Sequence, residues 1–192
     1  MKFKYKTKPY QHQEDALVHS FDKRNYAYFM EMGCGKSKVL LDNMAWLRLQ
    51  NKIDSAIIVA PKGVYRNWEL TEIPKHFLDE IDHEVFTWRA SANKSQKDNL
   101  VRATKDRSKF RILLINVEGF ATPKVKRYTE AFIKNSNFLL AVDESTTIKN
   151  HQAKRTKALI NLGKQASYKR ILTGSPVTRS PMDLFSQCLF MS

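Results

Sequence analysis

Six short apolar runs divide the chain: YAYFM (26–30), SAIIVA (55–60), EVFTW (84–88), RILLIN (111–116), FLLAV (138–142) and RILTG (170–174). Several are nearly continuous in β-branched and aromatic residues, the composition of strands covered on both faces. Between them the period lengthens. KSKVLLDNMAWLRLQ (36–50) and the stretch from Asn67 to Ile81 place apolar residues at helical spacing, with Pro74 bending or interrupting the second. Strands alternating with helices predict an α/β fold, a mostly parallel sheet with helices on both faces. No repeat, low-complexity segment or linker interrupts the alternation, so a single domain over residues 1–192 is expected.

Composition narrows the class. The 192 residues are 42% hydrophobic, enough for a core, and 33 Lys and Arg against 19 Asp and Glu leave a net charge of +14. That balance favours polyanionic partners; scaffolding within a ribonucleoprotein or an acidic membrane surface fits the same number. Cys34 and Cys188 match no metal-ligand spacing and read as ordinary cytosolic thiols. The basic start MKFKYKTKPYQ lacks the apolar region of a secretory signal, and the longest apolar runs are too short to span a bilayer. A soluble, intracellular, cytoplasmic protein is expected, in the nucleoid or nucleus if the host has one.

The charge is unevenly spread. Between Glu144 and Asp183 no acidic residue occurs, while Lys149, Lys154, Arg155, Lys157, Lys164, Lys169, Arg170 and Arg179 fall there. A second basic cluster from Arg89 to Arg111 is opposed only by Asp98 and Asp106. Any single lysine of this kind usually solvates a helix face. The first cluster, as an unbalanced block, is expected to contact phosphates. Trp68 and Trp88 either stack on bases or pack in the core, and their positions favour the core.

The candidate chemistry begins at FMEMGCGKSKV (29–39). Gly33 and Gly35-Lys36-Ser37 supply the second half of the phosphate-loop pattern G-x-x-x-x-G-K-[ST], but Met30 stands where its first glycine belongs. The segment follows a predicted strand and opens a predicted helix, where backbone N–H groups and the helix dipole favour a phosphate. Alone, it could equally be a glycine-rich turn. FLLAVDEST (138–146) then runs a buried strand into Asp143 and Glu144. An acidic pair at a strand end is often an exposed turn; it is also the pair that metal-assisted phosphoryl transfer needs, one carboxylate at the magnesium shell and one toward the attacking water. In a parallel sheet, ligands lie beyond the carboxyl ends of the strands, and Lys36 and Asp143 can meet there.

At these residues the chain resembles the N-terminal RecA-like lobe of Swi/Snf-type superfamily-two helicases and translocases, a P-loop NTPase fold. EMGCGKS resembles that family's D-E-M-G-L-G-K-T, which does without the first glycine. KPYQHQEDAL resembles the segment that reads adenine through a glutamine, Gln13 here by its three-residue step to Ala16, with Gln11 the rival. AIIVAPKGVYRNWELTEIPKHF resembles motif Ia, LLINVEGF the strand and turn after it, VDESTTIKN the D-E-A-H-x-I-K-N box, and ILTGSPVTRSPMDLFSQCLF motif III, L-T-G-T-P, with the apolar helix beyond. The ordered motifs run from about Gln11 to Phe190.

The resemblance implies a nucleic-acid-dependent ATPase using ATP and Mg2+, most simply a double-stranded DNA translocase. Gln13, Met32, Gly33, Cys34, Gly35, Lys36 and Ser37 would bind the nucleotide, with Ser37 and Asp143 at the metal. Catalysis would rest on Lys36, Asp143 and Glu144, the last as base for the attacking water, with no catalytic role for Glu31. Pro61, Lys62, Lys149 and Asn150 would approach nucleic acid. Thr173, Gly174 and Ser175 would sense the nucleotide state. Ser145 and Thr146 replace the family's Ala and His, and that histidine links the nucleotide to motif III, so coupling is expected to differ. Family members complete their site with arginines from a second RecA-like lobe, which this sequence lacks: it is either an excised or truncated lobe, or a chain whose partner supplies the rest. Two other readings stay open, a non-catalytic nucleic-acid-binding module and the lobe of an RNA or branched-DNA helicase.

Overall fold

The computed structural model describes residues 3–177 and 181–192. Six strands, β1 (Asn25–Phe29), β2 (Ser55–Ala60), β3 (His83–Thr87), β4 (Phe110–Asn116), β5 (Phe138–Asp143) and β6 (Tyr168–Thr173), form one sheet in the order β1-β6-β5-β2-β4-β3. Every pairing is parallel. The six apolar runs are therefore the six strands, displaced by at most two residues at an end. Met30 and Gly174 fall just outside the sheet, because the chain leaves β1 and β6 into loops there.

Strand residues alternate between two cores, as the two-residue period of a strand requires. Ala56, Ile58, Ala60, Ile112, Leu114, Leu139 and Ala141 face one core, with α1 (Gln11–Ser20) and α2 (Lys36–Leu49). Ile57, Val59, Leu113, Ile115, Leu140 and Val142 face the other, with α5 (Lys94–Lys105), α6 (Pro123–Ile133), α7 (Lys154–Gly163) and the terminal helix α8 (Asp183–Met191). Burial on both faces explains why these strands read as continuous apolar runs.

The helix expected from Asn67 to Ile81 is broken differently. It starts as α3 (Tyr65–Asn67), passes through a π-helical turn (Trp68–Glu72) and ends as α4 (Ile73–His76). Pro74 has no N–H to give to the carbonyl of Leu70, and the wider turn, in which Ile73 N–H reaches Trp68 O, accommodates it. The helix stops at His76 because Phe77 turns extended and buries its ring against Phe110 and His83.

The basic block after Glu144 is not one surface. α7 runs from the carboxyl edge of the sheet to the amino edge, so Lys154, Arg155 and Lys157 lie at one pole and Lys164 at the other. Lys169 and Arg170 lie near the start of β6 and are buried, which removes them from any phosphate-contacting face. Arg170 donates to Asn43 Oδ1 and to the carbonyls of Ser20, Arg24 and Lys169 at 2.7–3.1 Å. Arg111, from the second basic cluster, is equally buried and donates to the carbonyls of Ala103 and Phe132 and to Ser136 Oγ. Arg179 lies outside the described residues. No helix among the described residues is long and apolar enough to cross a membrane.

Candidate functional site

The strand order decides what meets at the carboxyl edge. β1, β6, β5 and β2 are consecutive neighbours, so the loops carrying Lys36, Thr173–Ser175, Asp143–Glu144 and Pro61–Lys62 emerge side by side in that sequence. The separation of 107 positions from Lys36 to Asp143 shrinks to the width of two strand spacings, and the Thr173 loop stands between them.

The glycine loop is built by two left-handed residues. Gly33 and Gly35 have φ of 81° and 77°, conformations that side chains rarely adopt. At Gly35 a Cβ would also run into the amide nitrogen of Gln13. That amide donates to Cys34 O at 3.1 Å, while Gln13 Oε1 accepts from Tyr10 N–H at 3.0 Å. The buried Gln13 therefore ties the segment before β1 to the loop, and His12 adds a second contact to Cys34 O. Gln11 instead is exposed and bonds Asp15 on its own helix. Met32 is 84% exposed and Cys34 half-buried. Lys36 and Ser37 open α2, and Lys36 Nζ folds back onto the carbonyls of Met30 and Glu31 at 3.0 and 3.1 Å. Beside Gln13 and Gly35 lies an open cavity of about 620 Å³, lined also by Tyr10, Lys38, Glu72 and His76. A larger opening of about 720 Å³ lies at the amino edge, away from every motif, between Arg24, Lys52, Lys164 and Lys169.

The acidic box is held from several sides. Asp143 is buried; its Oδ2 accepts from the Trp68 indole N–H at 2.9 Å and its Oδ1 from Glu144 N–H at 3.0 Å. Burial raises its pKa above the usual carboxylate value and the Glu144 charge adds to the rise, while the bonds from Trp68 and from the Glu144 backbone, and the Lys36 charge, oppose it. Glu144 is half-buried and left-handed, φ 49° and ψ 62°, a strained state for glutamate of the kind found where a side chain must be aimed.

Two residues join this box to the Thr173 loop: Ser145, which the sequence marked only as a departure from the family's box, and Gln187, which it did not mark at all. Ser145 donates to Gln187 Oε1 at 2.6 Å, and Gln187 Nε2 donates to Pro176 O at 2.8 Å. Ser145 and Gln187 are both buried, although Gln187 lies in a helix expected to be apolar. A polar relay thus crosses from the box to the loop where the family's histidine was expected to act. Thr146 is only partly buried. On the other side, Thr173 Oγ1 accepts from Ser175 N–H and Thr173 O accepts from Met30 N–H. Gly174 lies against the glycine loop so closely that a Cβ would stand 3.3 Å from Met32 N and 3.4 Å from Met30 O.

Pro61, Lys62, Lys149 and Asn150 follow β2 and the 3-10 turn Ser145–Ile148, and so share the same pole. Lys62 and Asn150 are exposed, whereas Lys149 and Pro61 are partly buried. Trp68 is a core residue, and the partly buried Trp88 packs on Tyr128 with ring centroids 5.1 Å apart. Trp68 was readable as core, but not its bond to Asp143; the only sequence signal was its place seven residues after Pro61.

Comparison with known proteins follows the same lines. Over 162 residues the chain is 26% identical to the ATP-dependent helicase FUN30 of Saccharomyces cerevisiae, covering 84% of this chain and 13% of that protein. It is 28% identical over 164 residues to the probable ATP-dependent DNA helicase CHR12 of Arabidopsis thaliana, covering 84% of this chain and 14% of that one. It therefore spans only about a seventh of these relatives' length. Its fold superposes on the SWI2/SNF2 ATPase core of Sulfolobus solfataricus, solved in complex with dsDNA, with a TM-score of 0.77 at 20% identity, covering all of this chain and 37% of that one. The UvsW helicase of bacteriophage T4 gives a TM-score of 0.64 at 17% identity, over 96% of this chain and 58% of that one. The SNF2-related domain model matches residues 10–192, and the chain belongs to that family.

Proposed function

We propose that the chain is the N-terminal RecA-like motor lobe of a nucleic-acid-dependent ATPase, acting on double-stranded DNA. The observation that carries this is the convergence of Lys36, Asp143–Glu144 and Thr173–Ser175 on three adjacent strand ends. Family membership and the names of the relatives support ATP use. The archaeal core's dsDNA complex and the basic carboxyl pole around Lys62 and Lys154 support a duplex partner.

In this reading the base occupies the cavity beside Tyr10 and Gln13, and the phosphates lie along residues 33–37 at the start of α2. Lys36 exchanges the two loop carbonyls for phosphate oxygens, trading neutral acceptors for charged ones. Ser37 and Asp143 offer only oxygen donors, the hard set that suits Mg2+. They would hold that ion, which neutralises charge on the phosphates. Glu144, aimed by its left-handed backbone, orients the attacking water and takes its proton. Gly33 and Gly35 shape the cradle, and Met32 and Cys34 contribute backbone to it. Pro61, Lys62, Lys149 and Asn150 meet the DNA backbone.

Turnover separates this proposal from a binding module. Arginines that stabilise transition-state charge would come from a second lobe, and such an arginine is worth about 10³–10⁵ in rate. Steady-state ATPase assays of the 192-residue chain with saturating duplex should lie barely above background. A matching second lobe added in trans should raise the rate by orders of magnitude, and Glu144→Gln should abolish the gain. Strong DNA-stimulated turnover by the chain alone, lost in Glu144→Gln, would sink the divided-site argument.

A further inference from the structure

Trp68 belongs to none of the roles above, yet its indole is the donor that fixes one oxygen of Asp143. We propose that Trp68 is a positioning residue: it locks the Asp143 carboxylate and makes it mechanically continuous with the Pro61–Lys62 segment, so that DNA seated on that segment adjusts the metal side of the nucleotide site. This rests on the nucleotide and DNA assignments just proposed.

Three observations carry it. First, the two oxygens of Asp143 are held by two different donors, Trp68 on Oδ2 and the Glu144 backbone on Oδ1. A carboxylate gripped at one oxygen still rotates about its last bond; gripped at both, it does not. An indole N–H is a donor only, so it orients Asp143 without competing for the cation, and the remaining lone pairs stay open. Partners that orient a ligand in this way typically change metal affinity 10–100-fold when removed.

Second, the link is stiff along its whole length. The N–H groups of Val64 and Tyr65 both bond Pro61 O, at 2.8 and 3.0 Å, so a closed turn rather than a loose loop joins β2 to the helix. Trp68 follows one helical turn later and is 1% exposed, packed among Leu, Ile and Phe side chains of the first core. A shift of Pro61 is therefore delivered to the indole rather than absorbed.

Third, the backbone is irregular at the residue in question. The π turn begins at Trp68, and one extra residue in that turn changes the direction in which its side chain leaves the helix. Pro74 favours the wide turn, as described above. A buried indole could donate to any nearby carbonyl; here it reaches across to β5, the strand next to β2, and to the carboxylate assigned to the metal.

The indole proton is itself the probe. Trp46, Trp68 and Trp88 give three indole resonances in a 15N-labelled sample of the full chain, assigned through single Trp→Phe variants. The Trp68 signal should move in Asp143→Asn, should move on adding Mg2+ and ADP, and should move again on adding a short DNA duplex. In calorimetry, Trp68→Phe should weaken ADP binding 10–100-fold with Mg2+ present and leave ADP binding in EDTA unchanged. If Trp68→Phe binds as wild type with Mg2+, or loses affinity equally with and without it, Trp68 is a core residue and nothing more. A Trp68 signal indifferent to Asp143→Asn overturns the proposal even if Trp68→Phe fails to fold. A signal that responds to Mg2+ and ADP but not to duplex removes the link to DNA. Wild-type protein that binds no nucleotide at all would instead refute the parent assignment.

Discussion

The two edges of the sheet use buried charge in opposite ways. At the amino edge, Arg170 and Arg111 are desolvated, which lowers their pKa, and each is surrounded by acceptors: Arg170 by Asn43 and three carbonyls, Arg111 by two carbonyls, Ser136 and Asp54. These acceptors include Ser20, Ala103 and Phe132, at or near the carboxyl ends of α1, α5 and α6, where helix carbonyls lack partners of their own. The guanidinium groups staple helix ends to the sheet. At the carboxyl edge, Lys36 bonds two loop carbonyls, and Asp143 is held by two donors with lone pairs to spare. One edge is saturated and the other is exchangeable. The contrast teaches that burial and charge alone do not mark a site; what marks it is a bonding pattern that a ligand can take over.

Breaking the saturated edge should have the largest effect on stability. Arg170→Met leaves Asn43 Oδ1 without its guanidinium donor and strips a charged partner from three carbonyls, of which those of Ser20 and Arg24 keep a backbone N–H, and should cost about 2–4 kcal/mol in chemical denaturation. Nucleotide affinity of the folded fraction should be unchanged. Lys36→Ala should do the reverse. Mg2+-dependent ATP or ADP binding should fall about 100-fold or more, close to 3 kcal/mol, while the melting temperature barely moves. Equal calorimetric affinities for wild type and Lys36→Ala would remove the phosphate-loop assignment.

The Ser145–Gln187 relay at the carboxyl edge sharpens the contrast. Ser145→Ala and Gln187→Leu should each destabilise by about 1–2 kcal/mol, because each leaves a buried polar partner unpaired. The double variant should be less than additive by about 1 kcal/mol. Full additivity in that cycle would mean that the 2.6 Å contact carries no energy. DNA binding should weaken steeply with added salt, since its contacts are charges to phosphate; an affinity flat in salt would count against the carboxyl-pole lysines.

The smallest effect concerns pH. Burial, then the charges of Lys38, Lys75 and Lys6, depress the His76 pKa to about 4. A depressed group contributes stability above its unfolded value of about 6.5 that is lost as pH falls toward 4. Subtracting a His76→Gln variant isolates it from Asp42, which burial raises to about 6 and which acts in the opposite sense. The wild-type-minus-variant stability should decline across that window; a flat difference would show His76 to be ordinary.

Much of this molecule was legible beforehand. Every apolar run became a strand, since strands buried on both faces announce themselves by composition, and Lys36, Asp143 and Thr173 could be placed because parallel strands end at a common edge. What escaped was partner identity. Arg170 and Lys169 looked like phosphate contacts because a sequence displays charge and conceals burial. Gln187 carried no sequence signal inside a helix expected to be apolar, and only the structure shows Ser145 opposite it. Trp68 was rightly expected in the core, but only the adjacency of β2 and β5 shows where its one polar atom points.

The edge position of β1 has a temporal consequence. β1 pairs with β6 alone, Asn25–Phe29 against residues 169–173, so the first of these six strands to be made has no neighbour until the sixth leaves the ribosome. The glycine loop hangs from that unpaired strand, and closing a loop of such length is slow relative to local helix formation. A nascent chain arrested before residue 168 would carry every residue of the phosphate cradle and the acidic box without a scaffold to hold them at one edge. Nucleotide binding should thus appear abruptly once β6 has emerged, as the sheet is sealed from its middle outward.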